Sequence, residues 1–408
     1  MITDPVGLLA FMFLVVACAR FLEGRFAVVK KVSSAVVCTL LGILLANVGL
    51  IPHVGPIHTA VYDYAVTYAI VLIILASDLR DMKKAGVRMV TCFVLASVAT
   101  FAASLASGLL FASQIGPEVW KVSGMFAGAF VGGGMNFVAV GRGLQVSPSL
   151  FAAASVADNL STVPYMLAQI GMAALLTRFY VGRPIWRRRG AVVPASAVAA
   201  IGPPAVDASQ GGALGAATPA PSEGQQSDPR RFWTDAEISI TDMAFLAALP
   251  LGAIWLANVA SPLLPGFPQV LWLTTFALIA AQLPVMRRLK GAAVVSYFAL
   301  HLFFIVIGAG SVLAEVVKAG PALFLYMFTI LAIHVVIAYG IAWLVGLDIP
   351  HISVASQAAV GGPGSALALS MAMGWHSLVT PGILVGIFGY AIGNYIGFAT
   401  AYLLRGLL

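Results

Sequence analysis

The sequence predicts an all-α polytopic membrane protein, an inverted-topology repeat of two six-segment halves, each with a glycine-broken helix, re-entrant or discontinuous. Three observations predict it. Of 408 residues, 61% are hydrophobic and only 9% charged, whereas a soluble domain carries about 25% charged residues. Apolar segments recur at 5–22, 33–50, 58–78, 88–112, 118–144 and 149–180, and again at 238–259, 268–286, 291–315, 320–346, 352–374 and 377–405; a span needs about 20 such residues. Each half also interrupts one apolar segment with glycine, V-G-G-G-M-N from Val131 and V-G-G-P-G-S from Val360.

The first half occupies 1–180 and the second 238–408. Between them, 181–237 begins with Arg183, Arg187, Arg188 and Arg189 and continues as Ala, Gly, Pro, Ser and Gln. With little to bury it reads as a disordered linker, and its arginines place it in the cytoplasm. The net charge of +7 is explained the same way, by cytoplasmic loops rich in Lys and Arg, without a nucleic-acid partner. The three cysteines, Cys18, Cys38 and Cys92, lie in apolar runs without disulfide or metal spacing. The N-terminal M-I-T-D-P lacks the basic start of a signal peptide, so the first apolar segment is expected to be retained.

Basic clusters test the topology. Arg20, Arg25, Lys30 and Lys31 follow the first segment, and Arg80, Lys83, Lys84 and Arg88 follow the third. In the second half Arg230 and Arg231 precede the first segment, and Arg287, Arg288 and Lys290 follow the second. If all are cytoplasmic, the halves are inserted upside down relative to each other. Six full crossings in the first half would then put the linker outside; five would put it inside. The reading favoured is that 118–144 is a re-entrant hairpin, with 352–374 as its partner. The alternative is a full crossing as a broken helix.

Glycine costs a helix about 1 kcal/mol per residue, and non-helical backbone at membrane depth is tolerated only where protein or a watery cavity receives it. The interruptions therefore mark the candidate site: Gly133, Gly134 and Asn136 at the first, Ser356, Gln357, Gly362, Gly364 and Ser365 at the second. A free half-helix N-terminus attracts anions. Asp158 is the one acid well inside a predicted span. Ser155, Asp158, Asn159 and Thr162 share one helix face at i, i+3, i+4 and i+7, directed at the element that holds Asn136. Asn394 is the expected counterpart of Asn159, 13 residues beyond Pro381 where Asn159 lies 11 beyond Pro148. Asp158, Asn159 and Asn394 are candidate oxygen ligands for Na⁺; Asp158 can carry a proton instead. The plainer readings are that Asp158 caps free N–H groups or pairs with Arg142, that Arg142 snorkels, that His301 and His334 are satisfied by hydrogen bonds, and that Gly382, Gly386, Gly389, Gly393 and Gly397 serve helix packing.

G-G-G-M-N-F-V-A-V and A-D-N-L, with the C-terminal G-G-P-G-S-A-L-A and L-V-T-P-G-I-L-V-G-I-F-G-Y-A-I-G-N-Y-I-G, resemble the bacterial membrane proteins called domain of unknown function 819. The likeness covers nearly the whole chain and is most specific over Val360–Gly397. That family is grouped with the cation/proton antiporter and anion transporter superfamily, whose members include bile-acid sodium symporters, glutamate–sodium symporters and citrate carriers. Gly361–Gly364 is similar to the G-G-x-G loops of the citrate and glutamate carriers; G-G-G-M departs from them at its fourth position. The resemblance implies a secondary transporter in the bacterial inner membrane, with dimers usual among the relatives and homodimerisation open for this chain. It carries over no substrate and no functional residue.

There is no G-x-x-x-x-G-K-[ST], H-E-x-x-H, Cys/His cluster or G-x-S-x-G, so neither direct ATP drive nor an enzyme is expected, nor any cofactor beyond Na⁺. The expectation is symport of a small, anionic molecule with Na⁺ or H⁺ across the bilayer. The alternative is a cation/proton antiporter with Asp158 as the exchanging carboxylate, and a third class is a passive channel.

Overall fold

The computed structural model describes residues 2–26, 29, 34–75, 79–180, 238–264, 267–286 and 289–408. The linker expected at 181–237 lies outside the described residues, as do Lys30, Lys31, Arg287 and Arg288. Among the described residues the chain is helical with no strand. The first half forms α1 (Pro5–Arg25), α2 (Ser34–Asn47), α3 (Pro56–Leu75), α4 (Val87–Leu110), α5 (Val119–Gly132), α6 (Gly134–Gly143) and α7 (Pro148–Tyr180). The second forms α8 (Ile240–Ala260), α9 (Gln269–Ala281), α10 (Ala292–Ala309), α11 (Leu313–Val345), α12 (Ile349–Ala372) and α13 (Val379–Leu407). Seven helical stretches are long and apolar enough to cross a membrane, while α2, α5 and α9 are apolar but shorter.

Local chemistry sets several ends. Asp4 accepts from Gly7 N at 2.6 Å, with Pro5 opening α1, the acceptor-then-proline order that suits a helix start. Ser239 and Asp242 satisfy each other's backbone N–H in a capping box. Gly346, at φ 80°, ends α11 in the left-handed region.

Two elements turn back on themselves. The helix over 119–143 is interrupted at Gly133 (φ 76°, ψ 178°), and its arms run antiparallel. A methyl on Gly128 would lie 3.1 Å from Val140 Cγ2, and one on Gly124 3.2 Å from Leu144 Cδ1. At the mouth Lys121 donates to the Gln145 carbonyl at 2.9 Å, and Glu118 accepts from Ser147 N at 3.1 Å. Helix α12 is interrupted at Gly362 (φ 76°, ψ −174°). A methyl on Gly382 would lie 2.6 Å from Val354 Cγ1 and 3.3 Å from Ala366 Cβ, although twelve residues of straight helix would separate those two by about 18 Å. Ile349, at one end of α12, clusters with Met373 and Trp375 at the other.

Helix α13 runs along both hairpins, which lie against it from opposite ends. Gly382 meets the arms of α12, Gly386 its turn at Pro363, Gly389 the turn of the first hairpin at Val131 and Gly132, and Gly397 the arms of that hairpin at Gly124 and Val140. Arg405 sits 4.9 Å above the Trp120 ring near the first hairpin's mouth. Helix α7 makes the opposite traverse, from Phe151 against Phe137 (5.5 Å between centroids) to Ala173 beside Ile349. Helices α4 and α11 pack on each other beside this group. The remaining helices form a second group, in which α10 lies between α2 and α3. There Gly42 and Gly308 let the α2 and α10 backbones touch: a methyl on Gly42 would lie 3.1 Å from Ala309 N.

The α13 contacts leave no room for side chains. A methyl on Gly389 would fall inside contact distance of the Val131 carbonyl and 3.1 Å from Phe93, whereas one on Gly340 would meet nothing within 4 Å. Gly389→Val should lower stability in detergent by about 1–3 kcal/mol or more through overpacking, with Gly340→Val as the tolerated control; equal thermal unfolding of the two would contradict this packing.

Asp348 caps α12, accepting from His351 N at 2.9 Å, bonding the His351 ring and pairing with Arg88 at 3.1 Å. Burial pushes its carboxyl up, but the His351 hydrogen bonds and the His351 and Arg88 charges outweigh this and hold it below its ordinary value. A depressed carboxylate stabilises the fold above its unfolded value, near pH 4, and that contribution fades as pH falls through the lower folded value. Asp348→Ala should cost about 0.5–2 kcal/mol at neutral pH and flatten the acid limb of a stability–pH curve; an unchanged limb would rule the cap out.

Candidate functional site

The two hairpin turns meet at one side chain. A methyl on Gly133 would lie 3.4 Å from Tyr390 Cε1, and one on Gly362 3.4 Å from the Tyr390 hydroxyl. Both glycines have φ near +76° with extended ψ, a region essentially reserved for glycine. Tyr390 comes from α13, next to Gly389, and is 6% exposed. Its hydroxyl has no hydrogen-bond partner among the described residues. The sequence reading passed over it; its one signal was its place in the glycine-rich run of α13.

Helix α7 crosses the same two turns. Asp158 Oδ2 would lie 3.8 Å from a methyl on Gly134, at the start of α6, and Thr162 Cγ2 2.7 Å from one on Gly361. One turn of helix thus brings Asp158 to the first turn and Thr162 to the second. The Asp158 carboxylate is partly accessible and has no ion-pair or hydrogen-bond partner among the described residues. Ser155 is buried one turn earlier, and Asn159 donates its amide to the Ser155 carbonyl at 2.8 Å.

The other residues expected here divide. Asn136 is buried and donates to the Gly389 carbonyl at 3.2 Å, pinning the first hairpin to α13. Ser365 Oγ lies 3.1 and 2.9 Å from the Gln357 and Gly362 carbonyls, and its one hydroxyl proton is shared between them, bridging the arms of α12. Gly364 lies in the first turn of the second arm. The Gln357 side chain is buried without a hydrogen-bond partner in the structure.

Ser356 belongs to a buried line of hydrogen bonds. Thr100 of α4 donates to the Phe130 carbonyl at 3.0 Å and lies 2.9 Å from His334 Nδ1. His334 Nε2 lies 2.7 Å from Ser356 Oγ, which Tyr165 and Gln169 of α7 approach at 2.6 and 3.1 Å. A threonine has one proton to give, so Thr100 accepts from Nδ1–H. Ser356 then donates to Nε2 and accepts from Tyr165 and Gln169. Every bond is satisfied by neutral His334 carrying its proton on Nδ1. The regular i+4 donor to Phe130 is Gly134, beyond the interruption, and Thr100 takes its place. The line ends on a carbonyl, which takes no proton, so it joins the arms of the two hairpins rather than relaying a proton.

Asn394 and Arg142 bond to other helices. Asn394, one helical turn beyond Tyr390, donates its amide to Thr274 of α9 at 2.9 Å, and its Oδ1 is buried without a hydrogen-bond partner in the structure. Arg142 neither pairs with Asp158 nor snorkels: it bonds the Tyr62 and Asp63 carbonyls and the Asp63 carboxylate at 3.4, 3.1 and 3.1 Å, lying over the Tyr62 ring. No cluster of three or more His, Cys, Asp or Glu suited to a metal ion occurs among the described residues.

This arrangement of apolar helices around two buried hairpin turns defines an all-α, multi-helix membrane protein. The chain belongs to the family described as Protein of unknown function (DUF819), whose model matches residues 10–181 and 212–407. It is also similar to the "Uncharacterized membrane protein YjcL" of Bacillus subtilis (strain 168), 28% identical over 389 residues, covering 92% of this chain and 91% of that protein.

The paired glycine conformations are testable. Gly133→Ala and Gly362→Ala should each cost roughly 1–3 kcal/mol of stability, read as thermal unfolding in detergent against Gly252→Ala, where a methyl meets nothing within 4 Å. Two variants as stable as the control would mean that these turns do not need glycine.

Proposed function

We propose that this protein is a secondary active transporter of the bacterial inner membrane, with its solute site where the two hairpin turns meet. One observation carries the reading: both turns lie against Tyr390, and the first also lies beside the Asp158 carboxylate, which has no ion-pair or hydrogen-bond partner among the described residues. An unpaired acid deep in a membrane costs about 3 kcal/mol or more, a cost that a cation or proton in transit offsets.

The hairpins are taken as re-entrant. Fourteen residues of α5 span about 21 Å, enough to reach the middle of a hydrocarbon core about 30 Å thick, and the second enters from the opposite face. An inverted repeat is supported by paired packing: α5 lies on α13 as α12 lies on α7, α2 on α10 as α9 on α3, and α1 on α2 as α8 on α9. Half-helix ends meeting at mid-depth between inverted repeats are a recurring construction for transporter sites. The hairpins with α4, α7, α11 and α13 form the moving body, and the other six helices the frame. The expected cargo is a small solute with an anionic group, moved with Na⁺ or H⁺. The unpaired Asp158 also favours a second reading, cation/proton antiport.

Thr162 lies at the second turn, so its accessibility reports alternating access. With Cys18, Cys38 and Cys92 replaced by alanine, Thr162→Cys should react with a membrane-impermeant maleimide in right-side-out and in inside-out vesicles, and more slowly in Asp158→Asn. Modification from one face only, in every condition, would rule out alternating access. Alkaline Na⁺ efflux without any organic solute would favour the antiporter.

A further inference from the structure

The two hairpin turns are alike in backbone and unlike in charge. After each glycine a new helix begins, whose N-terminal end carries a partial positive charge and leaves its leading N–H groups without the regular helical partner; at the first turn Asn136 N–H donates back to the Gly133 carbonyl at 3.0 Å. At the first turn the chain supplies its own anion, since Asp158 lies beside Gly134 at the start of α6. At the second turn the new arm begins at Pro363, which has no N–H, and continues with Gly364 and Ser365. There α13 presents Gly386 to the Pro363 backbone, with contacts of 2.8 and 2.9 Å to any added methyl, so no acid stands where Asp158 stands at the first. What α13 does present is the Tyr390 hydroxyl, 94% buried by residue surface, unpartnered among the described residues and aimed at Gly362.

Three described cations of neighbouring helices are committed elsewhere. Arg142 is held by Asp63, Lys121 by Glu118 and the Gln145 carbonyl, and Arg88 by Asp348. One turn therefore lacks an anion, and the other holds an anion that lacks a cation. The two turns flank one phenol ring, with Gly133 toward Cε1 and Gly362 toward the hydroxyl.

We propose that the solute of this site is a small zwitterion of α-amino-acid type. Its carboxylate binds the first turn of the second arm, at the Gly364 and Ser365 N–H groups and the Tyr390 hydroxyl, and its ammonium faces Asp158. A ligand with only a carboxylate would leave Asp158 to a coupling cation or proton alone, and one with only an ammonium would leave the second helix end empty. The short reach across Tyr390 suits charges on adjacent carbons rather than at the ends of a long chain. This inference rests on the transporter reading and narrows its solute.

The test uses the full-length protein in lipid nanodiscs. Its thermal unfolding is followed with the twenty common α-amino acids, the matching α-hydroxy acids, which lack the ammonium, and the matching α-amino amides, which lack the carboxylate. At least one amino acid should raise Tm saturably, and its hydroxy acid and amide should need at least tenfold higher concentration for the same shift. Asp158→Asn should abolish the shift, and Tyr390→Phe should weaken it about five- to tenfold, with Tm in the absence of solute showing that each variant folds. A hydroxy acid as effective as its amino acid, full affinity in both variants, or no shift with any amino acid would each overturn the zwitterion. Stabilisation by hydroxy acids with two-sided labelling of Thr162→Cys would leave the transporter standing without it; one-sided labelling would remove both.

Discussion

The close approach of backbone to backbone along α13 is the constraint from which the rest of the structure follows. A helix that must lie against two chain reversals cannot carry side chains at the points of contact. Gly386, Gly389, Gly393 and Gly397 supply a surface with nothing between α13 and the Pro363, Val131, Gly128 and Gly124 regions of its neighbours. With the backbones in direct contact along that seam, attraction comes from many short contacts and from a few hydrogen bonds such as Asn136 to the Gly389 carbonyl. The same stripe of small residues sets how far the hairpins reach and brings their turns to a common ring, Tyr390.

Reversing a helix inside an apolar body releases backbone groups that must find partners. The chain meets this with side chains from other helices. Thr100 takes over the Phe130 carbonyl, and Ser365 spans the arms of α12 at the Gln357 and Gly362 carbonyls. His334, bonded through both ring nitrogens, ties the first substitution to α12 through Ser356. These groups are spent on structure. Among the polar groups left over, Asp158 and the Tyr390 hydroxyl lie at the turns themselves, whereas the unpartnered Gln357 amide lies back in the first arm of α12; for that reason the solute is assigned to the first two.

Two packing groups divide the labour. Around the hairpins the contacts are glycine to backbone and buried hydroxyl to imidazole, a stiff arrangement. The α1–α3 and α8–α10 group meets it through fewer pairings, α6 on α3, α9 on α13 and α7 on α10, with Arg142 reaching across to Asp63 and Asn394 to Thr274. A stiff body held to a frame by fewer contacts is the geometry in which relative movement is cheapest.

Much was legible in the residues. Each of the twelve apolar segments contains a helix, because length and hydropathy are properties of the chain itself, and both interruptions fall at glycines that no other residue replaces without strain. Asp158 stood out because an acid is conspicuous in an apolar run. Direction was not legible. Asn394 and Asn159 look alike in spacing, yet the Asn394 amide bonds Thr274 of α9, a partner the sequence does not name. Arg142 found Asp63, some eighty residues earlier. Tyr390 was hidden among aromatic residues of the same composition. The sequence by itself determined which stretches are helical and which acid is out of place, since these depend on local composition and backbone freedom; the ends were less legible, for α11 begins at Leu313, inside the stretch expected to run from 291 to 315. Only tertiary structure decided that two turns more than two hundred residues apart share one tyrosine, because that depends on which faces of α7 and α13 pack against them.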